Sequence, residues 1–205
     1  MLRAYRRFFV VAYQFLPLLL AYARDRKRFV LFGGSRQVAP ETSRKRARSL
    51  LNSLLTLGPT FIKLGQLLST RPDVLPPEYI EEFEQLQDDV PPAPWPGAKA
   101  VIEEDIGSIE ETFDEFDTDP ISGASLGQVY IAEVDGERVA VKVRRPNIEP
   151  LVEADLRVVG WSLPILMRFV GQARSFSLET IADEFEKTIR EEMDYGRERE
   201  MLTEI

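Results

Sequence analysis

The stretch PISGASLGQVYIAEVDGERVAVKVRR, residues 120–145, decides the fold of this chain. Its segment Val129 to Val134 is rich in β-branched residues and predicts a strand. Asp135-Gly136 predicts a two-residue turn, because both positions need a positive φ, and Glu137 to Val143 then returns as the partner strand. Side chains alternate along a strand, so Lys142 lies on the face opposite to that of the neighbouring valines.

The loop before this hairpin, Ser122 to Gly127, consists mostly of small residues. Nothing bulky shields its backbone N–H groups, so with Lys142 and the small Ala140 it suits phosphates with a flat ring nearby. The alternative is an ordinary edge hairpin whose lysine snorkels to solvent. The loop matches neither the P-loop nor the G-x-G-x-x-G pattern, and no βαβ unit with the right glycines supports a dinucleotide-binding enzyme.

Composition limits the chemistry and suggests a partner. The 205 residues include no cysteine and no histidine, which excludes disulfides, Cys/His metal sites and histidine general bases within this sequence. Net charge is −8, but residues 1–50 hold 12 Lys/Arg against 2 Asp/Glu while residues 51–205 hold 14 against 32. We therefore expect no nucleic acid as partner, and an anionic membrane surface as the partner of the basic residues 1–30.

The amino-terminal segment has two interpretations. Its apolar run from Phe8 to Tyr22 is 15 residues long. A spanning helix needs roughly 20, and no small-residue cleavage site marks a signal peptide. One expectation is a helix lying in the membrane interface with basic flanks on lipid head groups. The other is a helix that packs on the protein's own body.

Glycine, proline and apolar periodicity divide the rest of the chain. We expect three domains: residues 1–40 with the first helix and a linker, residues 41–108 as a helical extension, and residues 109–205 as a small α+β domain. Helices are predicted at 41–57, 59–70, 76–86, 98–106, 147–169 and from 178 onward. A stiff proline-rich connector at 91–96, a lead into the first strand at 109–116, an interruption at Pro164 and a loop at 174–178 are also expected. Ile181, Phe185, Ile189 and Met193 predict a buried stripe on the last helix.

Lys63 and Gln66 lie three residues apart and so on one face of the predicted helix. Gly65 between them costs about 1 kcal/mol of helix propensity relative to alanine. A glycine at such a place favours the close approach of another backbone or of a ligand. The alternative is a simple helix–helix contact with a solvated lysine.

Three stretches together resemble one family, the UbiB-type atypical protein-kinase-like proteins of isoprenoid-quinone pathways. Lys63-Leu64-Gly65-Gln66 matches the family's K-x-G-Q motif. Residues 120–129, PISGASLGQV, are similar to its alanine-rich replacement for the kinase glycine-rich loop. The third stretch is the V-A-V-K sequence that ends at Lys142, followed 50 residues later by Glu192 in an acidic helix. The resemblance covers the chain from about residue 40 onward.

The resemblance implies an α+β fold: a protein-kinase-like small lobe, with an antiparallel sheet and a C-type helix, preceded by a helical K-x-G-Q extension. It implies that Lys142 contacts the phosphates of ATP and pairs with Glu192. It also implies that Lys63 and Gln66 project toward the active site. The residues that the resemblance places at the nucleotide are Gly123, Ala124, Ser125, Gly127, Ala140 and Lys142. Ser122-Gly123 stands where alanines are usual, which implies a more flexible loop.

The kinase patterns H-R-D-x-x-x-x-N and D-F-G do not occur in this sequence. We expect the second lobe and the Mg²⁺ ligands to lie outside it, no metal ligand within it, and negligible phosphoryl transfer by these residues alone. The expected function is that of the amino-terminal part of a UbiB-like kinase or ATPase, which binds ATP and supports isoprenoid-quinone lipid metabolism. It would act at the cytoplasmic face of a membrane, peripherally or interfacially anchored. The alternative is a non-catalytic membrane-associated scaffold or pseudokinase fragment that binds lipid or a partner protein.

Overall fold

The computed structural model describes residues 2–32, 39–87, 92–168 and 172–194. Within them the predicted α+β fold is confirmed, with helices and a small open antiparallel sheet. The chain divides into two compact units, residues 1–87 with 153–187 and residues 88–152 with 188–205. The three-domain division stays a prediction.

The secondary structure follows the predicted order. The helices are α1 (Leu2–Phe32), α2 (Pro40–Leu57), α3 (Pro59–Ser69), α4 (Pro77–Phe83), α5 (Trp95–Ile106), α6 (Ile109–Thr112), α7 (Ile148–Met167) and α8 (Gln172–Met193), with a 3₁₀ turn at Glu84–Gln87 after α4. The strands are β1 (Glu115–Phe116), β2 (Ser122–Gly123), β3 (Gly127–Val134) and β4 (Glu137–Arg144).

Strand β3 is the centre of the sheet. It pairs with β4 along its whole length, from Gly127 opposite Arg144 to Val134 opposite Glu137. Its other edge pairs with β1 at one end and with β2 at the other. The turn between β3 and β4 has φ of 53° at Asp135 and 78° at Gly136, which confirms the predicted hairpin.

One face of this sheet forms the core of the second unit. Tyr130 and Val143 are buried there together with Ala98, Ile102 and Ile109 of α5 and α6. Rings of Trp95 and Phe116 flank Tyr130, with ring centroids 5.4 and 5.5 Å from it. The opposite face of β4 carries Ala140 and Lys142, and both are exposed.

The first unit is built around α2, α3 and α4, which contact one another. Gly58 ends α2 with a φ of 93° and donates its N–H to the carbonyls of Leu54 and Leu55. Pro59 then begins α3, as the sequence predicts, because a proline needs no hydrogen-bond partner in the first helical turn. The predicted stripe on α8 is confirmed at Ile181, Phe185 and Ile189, which are buried.

Four boundaries differ from the prediction. Helix α5 begins at Trp95, inside the expected connector, because Pro96 fits the first helical turn. A short helix, α6, precedes β1, where only a lead into the strand was expected. Helix α7 continues through Pro164, and α8 already begins at Gln172. The break predicted at Pro164 and the loop predicted at 174–178 are therefore wrong. The helix-breaking preference of single residues there is weaker than the helical preference of the whole segment.

Arg7 fixes α1 to the rest of the first unit. Its Nε and Nη2 donate to the two carboxylate oxygens of Asp155 on α7, with 3.1 Å between Nη2 and Oδ2. Nη2 also donates to the carbonyl of Leu57 at the end of α2. The guanidinium lies 5.6 Å from the ring centroid of Phe61, a distance at which cation–π attraction operates.

Asp155 is fully buried, and burial raises the pKa of its carboxyl above the ordinary value. Arg7 and the buried hydroxyl of Thr60 act in the opposite direction on that pKa, although Thr60 Oγ1 makes no hydrogen bond of ordinary geometry. Since the folded-state pKa is raised, the stability that this group contributes is present below the unfolded-state pKa. It is lost as the pH rises through the folded-state value.

Helix α1 has two different faces. One face is held on the body: Ala4 and Val11 are buried, and the ring of Phe15 lies 6.2 Å from that of Phe61. This is the second of the two interpretations of the amino-terminal segment. The other face is apolar and exposed, and consists of Leu2, Tyr5, Phe9, Tyr13, Leu16 and Leu20. None of the helices among the described residues is long and apolar enough to cross a membrane.

The Arg7–Asp155 pair makes a test of the packing of α1. Arg7→Met or Asp155→Leu alone should lower the free energy of unfolding by about 3 kcal/mol, because each leaves one charge buried without its partner. The double variant should recover most of that loss, since both charges are then gone. Chemical denaturation measures all three.

Arg71→Met is the matched control. Arg71 forms its ion pairs with Asp73 and Glu184, whose side chains are about half exposed, and its loss should cost less than about 1 kcal/mol. Losses that simply add in the double variant would contradict the coupling of Arg7 to Asp155.

Candidate functional site

The predicted nucleotide loop is a closed turn between β2 and β3. Ser122 and Gly123 pair with Val129 and Gln128 as strand β2, and the N–H of Ala124 donates to the carbonyl of Gly127 at 2.9 Å. Ser125, Leu126 and Gly127 are buried, whereas Ala124 is exposed. Ser122-Gly123, the pair expected to loosen the loop, is thus part of the sheet ladder.

Arg145 binds this turn from the end of β4. Its backbone N–H donates to the carbonyl of Leu126 at 3.0 Å. Its Nε and Nη2 both donate to the carbonyl of Ala124, at 3.2 and 3.1 Å. Burial lowers the pKa of Arg145 from its ordinary value, but an arginine in a protein stays charged at neutral pH.

Sequence reasoning missed Arg145. The available signal was the Arg144-Arg145 pair directly after the V-A-V-K stretch. The two arginines differ in the structure, because Arg144 forms ion pairs with Asp105 and Glu149. Both arginines are half-buried, and only the fold separates the one that binds the turn from the one in ion pairs.

Lys142 stands on β4 opposite Val129 of β3. It shares the exposed face of the strand with Ala140, while Val143 faces the core. This confirms the predicted alternation. In the register of the hairpin Lys142 lies two residues from Arg144, the partner of Gly127. An exposed lysine near the end of the strand that meets the turn, with a small alanine two residues away, is the arrangement that the phosphate-binding interpretation requires.

Gln128 connects the sheet to the segment before α5. It is fully buried; its Oε1 accepts from the N–H of Ala93 at 2.7 Å, and its Nε2 donates to the Tyr130 hydroxyl at 2.6 Å. Burial raises the pKa of that hydroxyl. Gln128 therefore holds the segment before α5 on the sheet through its hydrogen bonds. Its position after Gly127 in the sequence did not predict this role.

The K-x-G-Q residues lie on α3 in the first unit. Gln66 Nε2 donates to the carbonyl of Leu86 at 2.7 Å. A Cβ on Gly65 would lie 2.3 Å from Leu86 Cδ1 and 2.9 Å from Leu54 Cδ1. The close approach at Gly65 is thus made by packed leucine side chains, as in the helix-contact interpretation. Lys63 is half-buried, and the roles of Lys63 and Gln66 at an active site stay predictions.

Glu192 is half-buried in the last turn of α8 and belongs to the same unit as Lys142. Their ion pair stays a prediction, as do the nucleotide contacts of Gly123, Ala124, Ser125, Gly127 and Ala140. Among the described residues no three acidic side chains cluster in a way that could hold a metal ion.

Comparison with known proteins identifies the family. The ABC1 atypical kinase-like domain matches residues 85–205. An uncharacterized protein of Synechocystis sp. is 43% identical over 87% of this chain and 33% of its own length. The Arabidopsis thaliana protein ACTIVITY OF BC1 COMPLEX KINASE 8, chloroplastic, is 39% identical over 84% of the chain and 23% of its own length.

A third relative, the probable protein kinase UbiB of Aeromonas salmonicida, is 43% identical over 69% of the chain and 27% of its own length. The chain thus spans a third or less of the length of these relatives. The similarity to UbiB agrees with the family that the three sequence motifs indicate.

The hydrogen bonds of Gln128 to Ala93 and Tyr130 make a stability test possible. Gln128→Leu should lower the free energy of unfolding by about 2 kcal/mol, because the Ala93 N–H and the buried Tyr130 hydroxyl lose their partner. Thermal or chemical denaturation measures the change. Gln85→Leu is the control, since Gln85 is exposed and its amide donates to Glu82 at 3.3 Å. Equal losses of unfolding free energy in the two variants would contradict this structural role of Gln128.

Proposed function

Because this chain belongs to the ABC1 atypical kinase-like family, we propose that it is the nucleotide-binding amino-terminal part of a UbiB-like kinase or ATPase. The observation that carries the proposal is the closed turn 124–127, bound by Arg145 from the strand that bears the exposed Lys142. That arrangement places a turn of small residues and two cationic side chains at one end of the sheet. Both suit the phosphates of ATP.

The residues of the site fit a nucleoside triphosphate. The carbonyls of Ala124, Leu126 and Gly127 all accept hydrogen bonds from the protein, so their oxygens are already engaged. Ala140 offers only a methyl group beside Lys142, which leaves room for a flat base. Bound ATP supplies the phosphoryl group for transfer.

The chain's own residues would bind and orient that nucleotide. Lys142 would neutralise the phosphates, and Glu192 would fix the lysine and limit the cost of holding its charge out of water. The roles of Lys63 and Gln66 at an active site stay predictions from the family resemblance. For Mg²⁺ the described residues offer no cluster of ligands.

The substrate class rests on the family alone. Similarity to UbiB proteins and the K-x-G-Q motif favour a role in isoprenoid-quinone lipid metabolism, with a quinone-type lipid as the molecule acted on or made accessible. Since the chain spans a third or less of its relatives, this role belongs to the whole protein.

A second function, attachment to an anionic lipid surface, is favoured by the exposed face of α1. That face carries Leu2, Phe9 and Tyr13 at 79%, 70% and 77% exposure. Arg3 and Arg6 are exposed on the same helix, and cations beside an apolar stripe complement anionic lipid head groups. This function would serve a kinase at a membrane as well as a non-catalytic scaffold.

The nucleotide proposal predicts a specific loss of binding. Lys142→Ala should weaken ATP binding at least about tenfold, the effect of one charged hydrogen bond, with the fold unchanged because the side chain is exposed. Equilibrium titration with ATP measures it. Lys99→Ala is the control, a half-buried lysine of α5 that pairs with Glu103 and Glu110. ATP affinity equal to wild type in Lys142→Ala would refute the proposal.

The lipid proposal predicts that the double substitution Phe9→Glu, Tyr13→Glu abolishes flotation with vesicles that contain phosphatidylglycerol. Full burial of each aromatic ring contributes roughly 1.5–3 kcal/mol, and the added carboxylates repel the anionic surface. Substitution is a cleaner test than deletion of α1, which would also remove Arg7 from Asp155.

Ile106→Glu is the control for this experiment, because Ile106 is also exposed but lies on α5. Flotation that persists in the α1 variant would refute the role of this face in lipid binding. Equal flotation with neutral vesicles would refute the contribution of the arginines to an anionic surface.

A further inference from the structure

We propose that Arg145 is a positioning residue, which shapes the turn 124–127 for phosphate and holds it to the strand that carries Lys142. The inference rests on the nucleotide function proposed above and assigns a role within the same site. Neither the kinase patterns nor the three stretches that resemble the family's motifs include this arginine.

Arg145 binds a carbonyl oxygen that a backbone N–H binds in an ordinary β-turn. In an ordinary four-residue β-turn the first carbonyl accepts from the N–H of the fourth residue. Here the first carbonyl is that of Ala124, and among the described residues its hydrogen-bond donors are Nε and Nη2 of Arg145. The backbone N–H of the same arginine holds the Leu126 carbonyl. One residue thus binds both sides of the turn.

The two side-chain bonds require a guanidinium. Nε and Nη2 form a rigid planar fork that can meet one oxygen atom with two N–H groups. A lysine ammonium would carry the same charge but would have neither the fork nor its fixed direction. The half-buried setting of Arg145 strengthens the bond, because a charged donor is less screened where water is partly excluded.

Engagement of these carbonyls matters for an anion. A carbonyl oxygen turned toward a phosphate repels it, whereas a backbone N–H attracts it. The bonds of Arg145 keep the oxygens of Ala124 and Leu126 directed to the protein. Among the described residues the N–H groups of Ser125 and Leu126 make no backbone–backbone hydrogen bond. Both residues are buried, and their N–H groups are the donors of the turn that we infer for a phosphate.

The same bonds couple the turn to Lys142. Arg145 follows Lys142 by three residues, directly after β4, so holding the turn from Arg145 fixes its distance from the lysine's strand. The turn and the strand of Lys142 are then already held at a fixed distance before a ligand binds to both. Such preorganisation raises affinity because less ordering is left for the binding step.

The test compares Arg145→Lys and Arg145→Gln with Arg144→Gln, the adjacent arginine that pairs with Asp105 and Glu149. Titration with ATP and with adenosine separates phosphate binding from base binding. Hydrogen exchange of residues 124–127 without nucleotide reports on the turn itself. We expect both Arg145 variants to lose about tenfold in ATP affinity and none for adenosine, and to exchange faster at the turn. Arg144→Gln should match wild type in both measurements.

Each alternative outcome is distinct. ATP affinity restored in Arg145→Lys would mean that charge alone acts, and would overturn the positioning role. Unchanged exchange at the turn in both Arg145 variants would overturn it as well. If the wild-type protein does not bind ATP, the proposed nucleotide function fails, while the exchange experiment still decides whether Arg145 holds the turn.

Discussion

Strand β3 is hydrogen-bonded along both edges, and the candidate site takes its geometry from that constraint. Pairing with β4 over eight residues puts Lys142 opposite Val129. Pairing with β2 brings the chain back on itself at Ala124–Gly127. Because backbone pairing leaves little freedom in register, a one-residue slip of β4 would turn Lys142 into the core. The buried Tyr130 and Val143 prevent that slip, since they fit only one face.

What the sequence could predict was local. The hairpin at Asp135-Gly136 and the helix boundary at Gly58-Pro59 follow from the backbone preferences of the residues themselves, and both agree with the structure. Arg145 on the turn and the Arg7–Asp155 pair escaped prediction. Arg7 binds a residue that is distant in sequence, and Arg145 binds a main-chain carbonyl. Neither kind of contact produces a periodic pattern of residue types in the sequence. The loop predicted at 174–178 failed for the opposite reason, since a weak local signal gave way to a longer helix.

The two motif glutamines have a common structural use. Gln66 donates to the carbonyl of Leu86 in the first unit, and Gln128 accepts from the N–H of Ala93 in the second. Gln66 thus holds the backbone at Leu86, and Gln128 holds the backbone at Ala93. A motif that looks catalytic in sequence can therefore include residues whose work is to hold main chain in place.

The pair of Arg7 with Asp155 imposes an order on biosynthesis. The two residues are separated by 148 positions, so a ribosome exposes α1 long before the carboxylate that completes its anchor. During that interval the carbonyl of Leu57 and the ring of Phe61 are the partners that Arg7 can reach. A nascent chain paused in this window carries an arginine-bearing apolar helix that is only partly docked. The contacts of α1 with the first unit are therefore complete only after α7 has been synthesised, although α1 is made long before it.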